Sequence, residues 1–241
     1  MGCMLNSSRA ALWLFLSLPI YVHAADPSTA ALIEKGHFKR AEVILNQRLK
    51  ANPNDALSYC ELSKVDLAFF RWDDAIEHAE KAVSLDGKSV DFHVQLVDAL
   101  GSKLGAATTG VFQRMSLGRR FKSEAAVALQ MDPNNATANG DMVEYYLQAP
   151  GFAGGDKKKA DEVADHMVQI HPVQGYLLKI EIATEEKRIG DLEKLVQQAV
   201  GADPKNYDAH LQAANFYLGK GREGLDRAEE LAEQITRAFL I

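Results

Sequence analysis

Apolar and charged residues alternate along this chain at the three- to four-residue spacing of helices with one buried face. The segment Phe38-Lys-Arg-Ala41-Glu-Val-Ile-Leu45 carries the pattern and ends at Asn52-Pro53-Asn54. Trp72-Asp-Asp-Ala75-Ile-Glu-His-Ala79 repeats it and ends at Leu85-Asp86-Gly87. Ala41 and Ala75 are 34 residues apart. A period of that length predicts stacked helix-turn-helix units, each unable to bury its apolar face without a neighbour. Pro53, Pro133, Pro172 and Pro204 each follow Asn, Asp or His at the end of an amphipathic run. A residue without an N–H that restricts its predecessor ends one helix there and opens the next. These stops predict units at 25–55, 56–89, 90–135, 136–172, 173–205 and 206–241.

The second unit resembles the tetratricopeptide repeat (TPR) family. Its Tyr59, Leu62, Ser63, Ala75 and Ala82 match the family's large residue at position 4, Leu and a small residue at 7 and 8, and Ala at 20 and 27; Gly87 stands where proline is usual. Ala at a helix crossing lets two axes approach to about 8–10 Å. The resemblance implies an all-α fold, a right-handed superhelical solenoid of about six TPR-like helical hairpins. It also implies a concave groove lined by positions 2, 5, 9 and 12 of each first helix. Those positions bring in Leu57, Cys60, Lys64 and Leu67, then Asp91, Val94 and Asp98, then Glu144 and Leu147, and finally Asp208, Leu211, Asn215 and Leu218. Lys64, Asp98, Glu144 and Asn215 are the polar candidates for gripping an extended or helical protein segment. The Lys and Asn carboxylate clamp of some TPR co-chaperones is not reproduced.

The period is broken twice. Gly87 to Pro133 spans 46 residues and Pro133 to Pro172 spans 39. The first excess falls in Gly101–Gly110, whose three glycines and two threonines disfavour helix. The second is Ala149-Pro150-Gly151-Phe152-Ala153-Gly154-Gly155, ahead of Asp156 as a helix N-cap. Both are expected as long turns within a unit, neighbours on one edge of the solenoid. Arg114, Arg119, Arg120 and Lys122 lie between Val111 and Ser123 with no acid among them. They read either as a solvated face or as a patch for an anionic partner, with Arg114 and Arg119 the candidates. Phe152 reads either as a plug into the adjacent helix pair or as an exposed anchor. The stretch Tyr145–Gly155 is similar to a loop of exported bacterial TPR proteins without an assigned activity. Lys157-Lys158-Lys159 is expected to face water and pair with Asp161 and Glu162.

The first residues have a different pattern. Arg9 is the only charge before an apolar run, Ala10–Leu18, that is too short to span a bilayer, and Val22-His23-Ala24 offers small residues at −3 and −1. Residues 1–24 therefore read as a signal peptide and 25–241 as the repeat domain. This implies export to the periplasm, or secretion, with no integral membrane segment after cleavage. The whole chain carries a formal charge of −6, and residues 25–241 carry 26 basic against 33 acidic groups. That balance argues against nucleic acid as a partner. Cys60 is the only cysteine after the leader, so no internal disulfide is available.

Motifs for chemistry do not emerge. The six histidines after the leader show neither i, i+4 pairing nor His-Glu-x-x-His spacing, and there is no Gly-x-Ser-x-Gly elbow. No catalytic residue, cofactor or metal is expected. In the last helix Leu225, Ala228, Leu231, Ala232, Ile235 and Phe239 form an apolar stripe, read as a homo-oligomer contact or a fold back onto unit six. The sequence thus points to a scaffold or adaptor for a protein or peptide. The alternative is a small-ligand accessory protein of a solute transport system.

Overall fold

The computed structural model describes residues 28–220 and 224–239, and among them places twelve α-helices and no strand. Unit one pairs α1 (Thr29–Glu34) with α2 (Phe38–Ala51), and unit two pairs α3 (Ala56–Ala68) with α4 (Trp72–Leu85). Unit three holds α5 (Val90–Gly105) and α6 (Val111–Met131), and unit four α7 (Ala136–Gln148) and α8 (Lys157–Ile170). Unit five holds α9 (Pro172–Glu185) and α10 (Ile189–Ala202), and unit six α11 (Tyr207–Gly219) and α12 (Leu225–Phe239). Each helix packs on the next. The backbones of the first helices of successive units also approach one another closely, whereas among the described residues those of the second helices stand farther apart. The first helices therefore form the inner wall.

Small residues set the crossings as expected: Ala41, Ala75, Ala79, Ala82, Ala125 and Ala160 are fully buried. The turns between units are locked by a recurring bond. At position 4, His93 Nε2 lies 3.2 Å from Gly87 O, Asn139 Nδ2 donates to Pro133 O at 3.0 Å, and His210 Nε2 lies 2.8 Å from Pro204 O. Each reaches back six residues to tie a first helix to the turn that launched it. Asp55, Asn135 and Asn206 cap the first helices of units two, four and six through their side-chain oxygens, satisfying N–H groups that have no partner within the helix.

Unit three departs from expectation. Gly101–Gly105 is helix, and only residues 106–110 make the turn. The surplus lengthens both helices, to 16 and 21 residues from 13 and 14 in unit two. Tertiary packing overrides propensity here. A Cβ on Gly101 would stand 3.0 Å from Phe121 Cε2, so the missing side chain makes room for the ring, and Leu104 packs against the same cluster. Each helical glycine costs about 1 kcal/mol, which such burial offsets.

Pro172, counted by the sequence stops as the last residue of unit four, opens unit five instead. It is the first residue of α9, where a missing N–H goes unnoticed, and only His171 separates α8 from α9. The close junction requires Gly175, since a Cβ there would stand 2.2 Å from Val168 N. In α12, Ala228 and Leu231 are buried against unit six and Ala232 is exposed. The side chains of Leu225, Ile235 and Phe239, and residues 1–27, lie outside the described residues. No described helix is long and apolar enough to cross a membrane.

Candidate functional site

The inner wall gathers carboxylates. Lys64 is exposed on α3, Asp98 is half-buried on α5, Asp141 half-buried and Glu144 exposed on α7, and Glu181 exposed on α9. Burial pushes the Asp98 carboxyl up to about 6, with Lys64 pulling it back. Asp141 is pushed up to about 8, first by burial and then by the negative charges of Asp98 and Glu144. Its Oδ2 is buried without a hydrogen-bond partner. The Glu181 carboxyl is raised by burial and by Glu144 and Glu185. Lys64, Asp98 and Glu144 thus share one electrostatic neighbourhood, joined through Asp141. Asn215 is exposed on α11, apart from it in the last unit. Leu57, Leu211 and Leu218 are exposed in the first helices of units two and six, so leucines flank the acidic centre.

Cys60 does not line an open groove as its position implied. It is 3% exposed, and burial is the main cause pushing its thiol up to about 11. A thiol held protonated is a weak nucleophile.

The second surface is the edge formed by turns within units. Gly151–Ala153 makes a single 3-10 turn that packs against α6. The loop closes through its backbone: Gly155 N–H donates to Pro150 O at 3.2 Å, Asp156 N–H to Tyr146 O at 2.9 Å, and the Tyr145 hydroxyl to Ala153 O. Gly154 has φ +102°, and a Cβ on Gly155 would stand 1.7 Å from Ala149 O, so both positions need glycine. Asp156 caps α8 by accepting from Lys158 N and Lys159 N.

Phe152 is 84% exposed, so the plug reading is wrong. On α6 and α7, the rings of Phe121 and Tyr145 stack with their centroids 5.8 Å apart. Arg114 remains exposed but is committed to the preceding turn, donating to Thr109 O at 3.0 Å and Ala106 O at 3.3 Å. Arg119 is exposed, Arg120 pairs with Glu80 of unit two, and Lys103 pairs with Asp73. In the lysine triplet, Lys158 pairs with Glu162 as expected. Lys157 meets Glu186 across units, and Asp161 meets Arg188 instead.

No protein-family model matches the sequence, and no curated protein does. Solved structures do. TTC0263, a thermophilic TPR protein of Thermus thermophilus, is similar at TM-score 0.66 and 17% identity, over 79% of this chain and 95% of that one. PilW, a widely conserved type IV pilus biogenesis factor, is similar at 0.60 and 13%, over 87% and 94%. The pilF protein of Pseudomonas aeruginosa is similar at 0.57 and 15%, over 88% of each chain. The fold is a tetratricopeptide-repeat solenoid.

TPR register explains which groove residue escaped sequence reasoning. Asp141 occupies position 6 of unit four, one place beyond the inward stripe. It lies three residues before Glu144 and so on the same helix face. That i, i+3 acid pair was the available signal. In a TPR wall, burial of position 6 depends on the neighbouring first helix, which a single repeat does not reveal.

Proposed function

We propose that this chain is an exported, non-catalytic scaffold that holds a protein segment along the inner wall of its TPR solenoid. The observation that carries the reading is Asp141, a half-buried carboxyl whose Oδ2 has no partner, beside Asp98 and Glu144. Such a group costs stability until a donor meets it. A peptide presenting Lys or Arg opposite units three and four, with apolar residues toward Leu57 and Leu211, supplies that donor and covers the exposed leucines. The TPR fold, with first helices forming a continuous wall, supports an extended occupant. The pattern of residues 1–24 supports export, and amino-terminal sequencing of protein from the cell envelope is expected to read from Ala25.

The test is a displayed library of random peptides selected on the full chain. Selected peptides are expected to be basic and apolar, and to lose about tenfold or more in affinity against Asp98→Lys or Glu144→Lys, since charge reversal in a partly buried site opposes the ligand directly. Selection of acidic peptides, or binding indifferent to both reversals, contradicts the reading.

A further inference from the structure

The edge of turns carries large apolar side chains at four successive units: Phe70 is 73% exposed, Phe112 90%, Phe152 84% and Ile189 64%. Singly, such residues need no explanation; their recurrence at or just after the turn between the two helices of four successive units does. The feature culminates in units three and four. All six residues of Val111–Ser116 are exposed, and the first core contact of α6 is Leu117, so the extra length of this helix projects as a spur. At about 100° per residue, Val111, Met115, Gly118 and Lys122 share one helix face. The inner part of that face meets unit four. A Cβ on Gly118 would stand 3.9 Å from Tyr145 Cε2, and one on Gly154 would stand 2.9 Å from Lys122 Nζ. Val111 and Met115 are therefore in line with the loop that presents Phe152, and Phe112 stands about a quarter-turn round the spur from them.

Around the spur and the second loop the charge is largely of one sign. From Gly101 to Ser123 there are five basic residues and no acid, and Lys157–Lys159 follow the second loop. Arg120 and Lys103 are neutralised by unit two, while Asp156, the one acid of the second loop, is engaged by helix N–H groups. Arg114, Arg119 and Lys122 remain as exposed positive charge in a chain of net −6. A protein groove accepts apolar prongs only through matching pockets. A bilayer accepts them without shape complementarity, and anionic headgroups meet the cations around them. The negative remainder of the molecule would be repelled by the same surface, which orients the solenoid edge-on.

We propose that this edge docks on a membrane surface containing anionic phospholipid, with Phe112 and Phe152 entering the interface. The inference concerns a different face from the groove and does not depend on a peptide occupying it.

The test is co-sedimentation of the full chain with phosphatidylglycerol–phosphatidylethanolamine vesicles and with phosphatidylcholine vesicles. Phe112→Ala/Phe152→Ala and Arg119→Glu/Lys122→Glu double variants run beside it, and circular dichroism confirms that each is folded. Residues 1–24 are common to all three proteins, so differences among them report the edge. Binding to anionic vesicles that weakens with salt, and falls about tenfold or more in each double variant, is expected. Phe152→Trp should add a blue-shifted emission component on those vesicles. Three outcomes overturn the proposal: no binding to anionic vesicles, vesicle binding unchanged in both double variants, or an edge that captures an acidic amphipathic peptide while ignoring lipid.

Discussion

The inner wall and the turn edge are built from the same repeat, and they invert the usual surface. The wall half-buries Asp98 and Asp141, and the edge holds Phe112 and Phe152 almost wholly in water. Neither arrangement helps the chain fold. A carboxyl raised by burial opposes folding at neutral pH, and an exposed phenylalanine contributes almost no buried area. Positions that folding leaves free, or even penalises, are where binding surfaces are expected. The core is the contrast, because Leu100 of α5 is fully buried in the cluster that α5 shares with α6.

The comparison breaks first at the core. Leu100→Ala is expected to cost about 2–5 kcal/mol in urea unfolding, as a buried leucine deletion that leaves a cavity. Next comes the loop that joins edge to core. Gly155→Ala places a methyl against the Ala149 carbonyl and should cost about 1–3 kcal/mol, an overpacking penalty. A cost near zero for either would mean that the helices around unit four pack more loosely than these contacts require.

The wall should respond with the opposite sign. The Asp141 carboxyl titrates near 8 in the folded chain, above the ordinary carboxylate range of the unfolded one. The folded state therefore holds this proton more tightly. Its contribution is favourable below about pH 4 and is lost as pH rises through about 8. Asp141→Asn is expected to add about 1–2 kcal/mol at pH 9 and nothing at pH 4, read from paired denaturant titrations. Asp98→Asn should show a smaller gain that develops as pH rises through about 6, because Lys64 already offsets part of its burial. The smallest effect belongs to the edge, where Phe112→Ala and Phe152→Ala should each stay within about 0.5 kcal/mol of the parent.

Much of this was legible in the sequence. The 34-residue spacing of Ala41 and Ala75, and the proline stops, predicted paired helices in the units observed. Lys64, Asp98 and Glu144 were nominated by register alone and do share one electrostatic neighbourhood. What failed depended on contacts between units. Gly101 and Gly105 read as a turn because their propensity is poor; packing under Phe121 keeps Gly101 helical. Cys60 and Asp141 were misjudged or missed because burial on the wall is set by the adjoining first helix. Phe152 is ambiguous in sequence because only the fold of its loop decides whether the ring is buried, and the loop leaves it 84% exposed.

The most direct measurement is the affinity of one display-selected peptide for three proteins in the same buffer: the parent chain, Glu144→Lys, and Phe112→Ala/Phe152→Ala. Binding should fall about tenfold or more in the groove variant and stay unchanged in the edge variant. Equal binding to the parent and Glu144→Lys, with loss in the edge variant, would place the protein-binding surface on the turns and contradict the assignment of the inner wall.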